Sequence, residues 1–336
     1  MPLYSAVSAG CISVEADVWL VHNSDQDLYV GHSTSSLTRN RTLQSLYVDP
    51  LVTILDKQNP TTAFHPNHSL PLNGVFDVDP SQSLTLLIDF KTSGAALWPH
   101  VLTQLEPLRS RNYLTYFDST GLVPGPVTAV CTGGCPFDLL LSNTTYRDVF
   151  FDAPLQEMWE AGGTEGEDEG TAREVDQGGV EDDKIPTNGQ PSTVKDPYIY
   201  PSRKRNAQKP RGTTKMIADA IDANLHRRTT NQSNPSGPDQ IPPPIYTANN
   251  SYYASASFGE TIGRMWRNQL SPRQKNLIRG QIRGAHRRGL KVRYWDLPNW
   301  PIGWQNHVWD VLVREGVDVL NVDDLEAAAR GDWGGD

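Results

Sequence analysis

The stretch SVEADVWL, residues 13–20, reads as a buried strand, yet Glu15 and Asp17 sit inside it two residues apart. Along a strand, residues i and i+2 point to the same face. Two carboxylates side by side in an apolar strand are costly unless a cation or hydrogen-bond donors compensate. Asp89 and Lys91 repeat the spacing in IDFK, residues 88–91. Glu15, Asp17 and Asp89 form an all-oxygen set, the donor type that hard divalent cations such as Mg²⁺ or Ca²⁺ take. His and Cys ligands, which would favour zinc, are absent from that set. Lys91 adds a positive charge at the same rim. A cation and a lysine together suit an anionic phosphate ester, in its ground state and as charge develops on it. On spacing alone a blander reading stays open, with Asp89 and Lys91 as an ion pair and with Glu15 and Asp17 capping backbone amides.

His32 follows in LYVGHSTSS, after a short apolar run and a glycine, so it is expected on a loop returning to the same rim. An imidazole there could act as general acid or base. The alternative is an ordinary surface histidine. His22 reads as a hairpin residue, and His286 and His307 as solvated helix positions. Polar residues also end two later apolar runs: Arg293, Trp295 and Asp296 in one, Asn321, Asp323 and Asp324 in the other. Trp295 and Tyr253 could cover a ligand, or could be packing residues.

Seven apolar runs could position these groups, at 11–21, 84–90, 127–132, 148–154, 252–258, 290–297 and 317–325. Helical patterns lie between several of them, at 96–109, 271–289 and 306–316, the second opening on an N-cap and N1 pair, Ser271 and Pro272. The alternation predicts an α/β fold with a parallel sheet. In (β/α)₈ barrels the active site gathers at the C-terminal ends of the strands, where the polar residues above fall.

Residues 157–183 hold eleven acidic residues and one Arg, more negative charge than the whole chain's net −9. The acidity therefore belongs to one segment, and nothing in it favours nucleic acid as a partner. From there to residue 246 the chain turns basic, then proline-rich, and is expected to be mostly disordered with one transient helix at 216–228. Without residues 157–246 the chain has 246 residues, close to the ~250 of a (β/α)₈ TIM barrel. The expected parts are 1–155 as the first part of the barrel, 156–246 as the low-complexity insert, 247–326 as the rest, and 327–336 as a flexible tail. A closed barrel needs eight strands, so the first is expected to be absent, with the opening MPLYSAVSAG as a helix already under way.

Three cysteines make no disulfide framework, and Cys131 and Cys135 in CTGGC read as two free thiols in a turn rather than a short-loop disulfide. No run of 18 apolar residues and no signal peptide is visible, while five N-x-S/T sequons mildly suggest a secretory route.

Taken together, PLYSA, GCISVEADVWL, LYVGH, LLIDFK, VRYWDLP and GVDVLNVDDL resemble the fungal family called altered inheritance of mitochondria protein six. That family is similar to the phospholipase-C-like phosphodiesterase superfamily of TIM barrels, with the glycerophosphodiester phosphodiesterases and sphingomyelinase D-type enzymes as relatives. The resemblance covers nearly all of 2–155 and 252–325. It implies Glu15, Asp17 and Asp89 as metal ligands, His32 as the second of two acid–base histidines and Lys91 as the phosphate contact. It implies cleavage of a glycerophosphodiester or lysophospholipid-type substrate, often through attack by a neighbouring substrate hydroxyl to give a cyclic phosphate. It also implies a role in lipid metabolism and contact with a membrane surface, by a monomer whose full-length form is secretory, membrane-associated or mitochondrial. The family's first histidine lies in an H-N-D-like motif just ahead of PLYSA. The expectation is therefore a shortened chain with impaired turnover, since loss of one positioned acid or base costs ~10²–10⁴-fold. The alternatives are a non-catalytic phosphate- or lipid-headgroup-binding barrel and, third, a carboxylate-pair glycoside hydrolase.

Overall fold

A computed structural model of the chain describes residues 2–21, 27–64, 71–162, 245–265 and 269–331. His22, the 216–228 helix and nearly all of the 156–246 insert lie outside the described residues. The strands in chain order are β1 (Ser13–Leu20), β2 (Leu28–Val30), β3 (Leu84–Phe90), β4 (Tyr116–Phe117), β5 (Leu122–Val123), β6 (Val127–Gly133), β7 (Val149–Pro154), β8 (Ser251–Ser257), β9 (Lys291–Trp295) and β10 (Val319–Leu320). Each of the seven apolar runs holds one strand of the main sheet. β2 is an added short strand, antiparallel to the end of β1, and β4 and β5 form a separate two-stranded ribbon.

The main sheet has eight strands in the order β10-β9-β8-β7-β6-β3-β1-β2, and every neighbouring pair except β1 with β2 is parallel. It curls into a partial barrel. Arg293 on β9 bonds Glu15 on β1, although β8, β7, β6 and β3 stand between those strands in sheet order.

The period-two alternation sorts side chains to two faces. On the outer face Val14, Ala16, Val18, Leu84, Leu86, Ile88, Ala129 and Cys131 join one core with helical residues such as Leu51, Leu55, Leu97 and Val101. A second outer core holds Ala254, Ala256, Val292 and Tyr294 with Ile278, Ile282, Val308 and Leu312. The helices over this half are Pro272–Arg287 and Ile302–Arg314. The first opens on a reciprocal capping box between Ser271 and Gln274, which satisfies donors the first turn would leave unpaired.

On the inner face Leu87, Val130, Phe150, Tyr253 and Val319 close the interior with an apolar layer. The next inward position along each strand carries a polar residue: Asp89, Thr132, Asp152, Ser255 and Asn321. A polar layer thus rests on an apolar floor. Asp17 is in register with Asp89, and Asp89 with Thr132.

One expectation is corrected. Cys131 and Cys135 form a disulfide, with Cα atoms 5.7 Å apart, within the span a disulfide bridges. Gly133, at φ 64°, turns the chain at the end of β6 and returns Cys135 to the strand. The helix expected from residue 96 begins at Gly94 and is split into Gly94–Gln104 and Glu106–Arg109.

Candidate functional site

Glu15 and Asp17 share the inward face of β1 because two residues separate them, and β3 brings Asp89 alongside in register with Asp17. Each of the three offers a carboxylate oxygen, and those oxygens lie within 4.8 Å of one another. Lys91, one step past β3, places Nζ 2.5 Å from Asp89 Oδ2 and 3.2 Å from Asp17 Oδ1. Its backbone N–H donates to Val18 O at 3.0 Å, so the chain stays laced to β1 beyond the strand. Partial burial alone would lower the Lys91 ammonium, but the bond and charge of Asp89, with Asp17 behind, raise it above its ordinary value. It stays a cation at neutral pH.

His32 arrives from β2. Gly31 N–H donates to Asp17 O at 3.1 Å, and Trp19 Nε1 donates to Gly31 O at 2.7 Å, pinning the turn from both sides. His32 Nδ1 then stands 3.6 Å from Asp17 Oδ2, with the side chain 96% exposed. That distance is too long for a hydrogen bond, so the ring stands free at the mouth.

Glu15 meets Arg293. Nη2 donates to Oε2 at 2.5 Å, and the same guanidinium donates to Asn321 Oδ1 from Nη2 at 2.6 Å and Nε at 3.1 Å. The Arg293 side chain is 6% exposed and that of Glu15 39% exposed. Burial raises the Glu15 carboxyl, Arg293 opposes the rise, and Asp89 and Asp17 add to it. Tyr47 supports the strand from outside by donating its hydroxyl to Glu15 O at 2.8 Å.

The donor chemistry fits a hard divalent cation. Three converging carboxylates face two cationic side chains, Lys91 and Arg293, which leaves negative charge uncompensated and only oxygen donors in the set. Glu15, Asp17 and Asp89 would hold the ion.

The structure therefore brings together Glu15, Asp17, His32, Asp89 and Lys91. Trp295 ends β9 on the inward side, half exposed. Tyr253 stands apart from them. It is buried in the apolar floor, with its hydroxyl engaged by Ser13 and Thr85 near the starts of β1 and β3. Asp324 caps the helix Leu325–Arg330 through Ala327 N at 3.0 Å, and Asp296 accepts from Ser257 Oγ at 3.0 Å. His286 is paired with Asp318 at 2.7 Å, and His307 is half-buried.

Sequence reasoning passed over two residues here. Asp152 lies on the inward face of β7, two residues before its end, with Oδ1 buried and without a hydrogen-bond partner. Burial pushes its carboxyl up to about 6, against the pull of Arg293 and of the Ser255 and Thr132 hydroxyls. Asp152, like Asp89, is an acidic residue in the C-terminal half of an apolar run, the signal that could have found it. Gly133 is the second, since a Cβ there would overlap Asp89 Oδ1. Its role depends on cross-strand register, and no local pattern announces it.

Residues 1–152 match a family described as an AIM6-like phosphodiesterase domain. That span contains all three carboxylates, His32 and Lys91. An altered inheritance of mitochondria protein 6 homolog from Arthroderma benhamiae is 34% identical over 96% of this chain and 75% of its own length. The altered inheritance of mitochondria protein 6 of Eremothecium gossypii is 30% identical over 98% of this chain and 66% of its own length. That of Lachancea thermotolerans is 29% identical over 97% of this chain and 61% of its own length. The chain thus spans three quarters of the first relative and two thirds or less of the other two. No solved structure matches.

Proposed function

The chain belongs to the altered inheritance of mitochondria protein 6 family, and from that premise we propose that its barrel mouth binds and cleaves a phosphodiester with the help of Mg²⁺ or Ca²⁺. The observation that carries this reading is the convergence of Glu15, Asp17 and Asp89 oxygens within 4.8 Å, beside Lys91. A bound divalent cation would polarise a phosphoryl oxygen and lower the cost of charge building up there. Lys91 faces the same phosphate as a point charge, held in place by Asp17 and Asp89. His32, free at the mouth, carries a proton to or from an ester oxygen. Diester cleavage needs one proton taken from the nucleophile and one given to the leaving group. Among the described residues His32 is the histidine that stands beside the carboxylates.

The finer fold we propose is a (β/α)₈ barrel, of which the seven parallel strands are a part. A cavity of about 660 Å³ lies between the facing edges of β1 and β10, lined by Ser13, Glu15, Val319 and Asn321 among others. Its position supports one further strand there. The substrate class we favour is a glycerophosphodiester or lysophospholipid. Trp295 at the end of β9 and Trp300 (74% exposed) and Ile302 in the segment that follows are exposed, at the same strand ends as the site. Tryptophans so placed suit a lipid–water interface, which also supports contact with a membrane surface. Among the described residues no helix is long and apolar enough to cross a membrane.

The test is phosphorus NMR of the full chain with Mg²⁺ or Ca²⁺ and either a glycerophosphodiester or a lysophospholipid. A phosphomonoester or cyclic phosphate is expected, and Asp17→Asn should abolish it. His32→Asn should lower turnover ~10²–10⁴-fold with the melting temperature unchanged, because the side chain is 96% exposed and its contact with Asp17 is too long for a hydrogen bond. A protein that binds these lipids by calorimetry but never turns them over would be the non-catalytic headgroup-binding barrel instead. That second reading draws support from the single histidine at the described mouth.

A further inference from the structure

The carboxylate trio is not symmetric. Asp17 and Asp89 are level, in register across β1 and β3, and share Lys91. Glu15 lies one inward step lower, in register with Leu87, and shares no bond with Lys91. To reach the level of the two aspartates it must use its longer side chain, which carries one more rotatable bond and more rotamer freedom. The group that removes this freedom comes from the far side of the interior. Arg293 projects from β9 and closes on Glu15 Oε2 at 2.5 Å. Asn321 holds the guanidinium by accepting from both Nη2 and Nε. A neutral acceptor bonded to two nitrogens of a planar fork fixes its orientation without consuming its charge. Sheet curvature alone does not call for this bridge, because the floor of Leu87, Val130, Phe150, Tyr253 and Val319 already fills the interior below. An ion pair with one partner buried and the other 39% exposed is also seldom a better source of stability than apolar packing.

Resting on the cation reading above, we propose that Arg293 is a positioning residue, which pins one oxygen of Glu15 so that the other is presented to the divalent cation, with Asn321 setting the angle of the guanidinium. Glu15 would then serve as a ligand through one oxygen, and the affinity for the ion would depend on a residue that never touches it.

The experiment is calorimetric titration of Mg²⁺ and of Ca²⁺ into the full chain, as wild type, Arg293→Met, Arg293→Lys and Asn321→Ala. Loss of a group that orients a ligand typically weakens ion binding 10–100-fold. That loss is expected for Arg293→Met, with partial recovery in Arg293→Lys, which restores the charge but not the fork. Asn321→Ala keeps the guanidinium, so it serves where Arg293→Met does not fold; a several-fold weakening is expected, at an ion-free melting temperature near that of wild type. Equal or tighter binding in Arg293→Met, or in Asn321→Ala where only that variant folds, would overturn the assignment while leaving the cation reading intact. Failure of the wild type to take up either ion would overturn the cation reading itself and this assignment with it.

Discussion

Asp152 faces the interior with one carboxylate oxygen buried and unpartnered. Burial pushes its carboxyl up to about 6, from about 4 in an unfolded chain. Between those values the folded protein holds a proton that the unfolded chain has released, so the contribution of this group to stability is fully present below pH 4 and is lost as pH rises through 6. Melting temperatures of wild type and Asp152→Asn should therefore separate with rising pH across this window, the wild type losing stability relative to the variant. Parallel curves would mean that the carboxyl titrates normally. Residues of this kind mark where sequence reading reaches its limit. Glu15, Asp17, Asp89 and Lys91 were legible because charge at i and i+2 in an apolar strand is too costly to stand without a partner. The height of a side chain inside a barrel is not written locally. Tyr253 and Ser255 differ by one inward step, and that step separates the apolar floor from the polar layer.

At the scale of elements, β3 was legible to the residue, because LTLLIDF is apolar nearly throughout and bounded by polar turns. β2 was not, since three residues pairing with the end of β1 carry too little pattern. The disulfide depends on a left-handed turn at Gly133, which the spacing of two cysteines does not reveal. The helix Pro272–Arg287 was legible from its cap. Ser271 Oγ accepts from Gln274 N at 3.3 Å, while Gln274 Oε1 accepts from Ser271 N at 2.9 Å. Ser271→Ala removes one half of this exchange and should destabilise the protein by about 1 kcal/mol, measured by urea denaturation with an unchanged slope. A cost below ~0.3 kcal/mol would indicate that Gln274, which also donates to Ile262 O and Arg264 O, carries the helix start alone.

At the scale of the whole molecule, the chain leaves the described sheet after β7 and rejoins it before β8, and both ends are anchored there. Glu160 O accepts from Arg283 Nη2 at 3.0 Å on one side, and Tyr246 stacks on Phe151 at 5.9 Å on the other. Rejoining at the start of β8 means running back along a seven-residue strand, roughly 23 Å. A Gly/Ser linker of about twenty residues has a root-mean-square span near 25 Å. On the sequence's expectation of a mostly disordered insert, replacing residues 163–244 with it shortens the connection about fourfold, worth roughly 1 kcal/mol in loop closure. The melting temperature should hold or rise by a few degrees, and a fall of more than ~5 °C would show that the replaced residues stabilise the sheet.

The bond between Glu15 and Arg293 joins positions 278 residues apart, and a ribosome delivers them in that order. At roughly 5–20 residues per second, Glu15 is made about 15–55 s before its guanidinium partner. Lys91 is made early and Arg293 late, so once β1 and β3 pair, Lys91 is the partner of Asp17 and Asp89 before Arg293 can reach Glu15. Any divalent cation free in the compartment of synthesis can meet those carboxylates before Arg293 does. On the cation reading proposed above, the ion and the arginine would be rivals in time during synthesis, even where Arg293 later presents Glu15 to that ion.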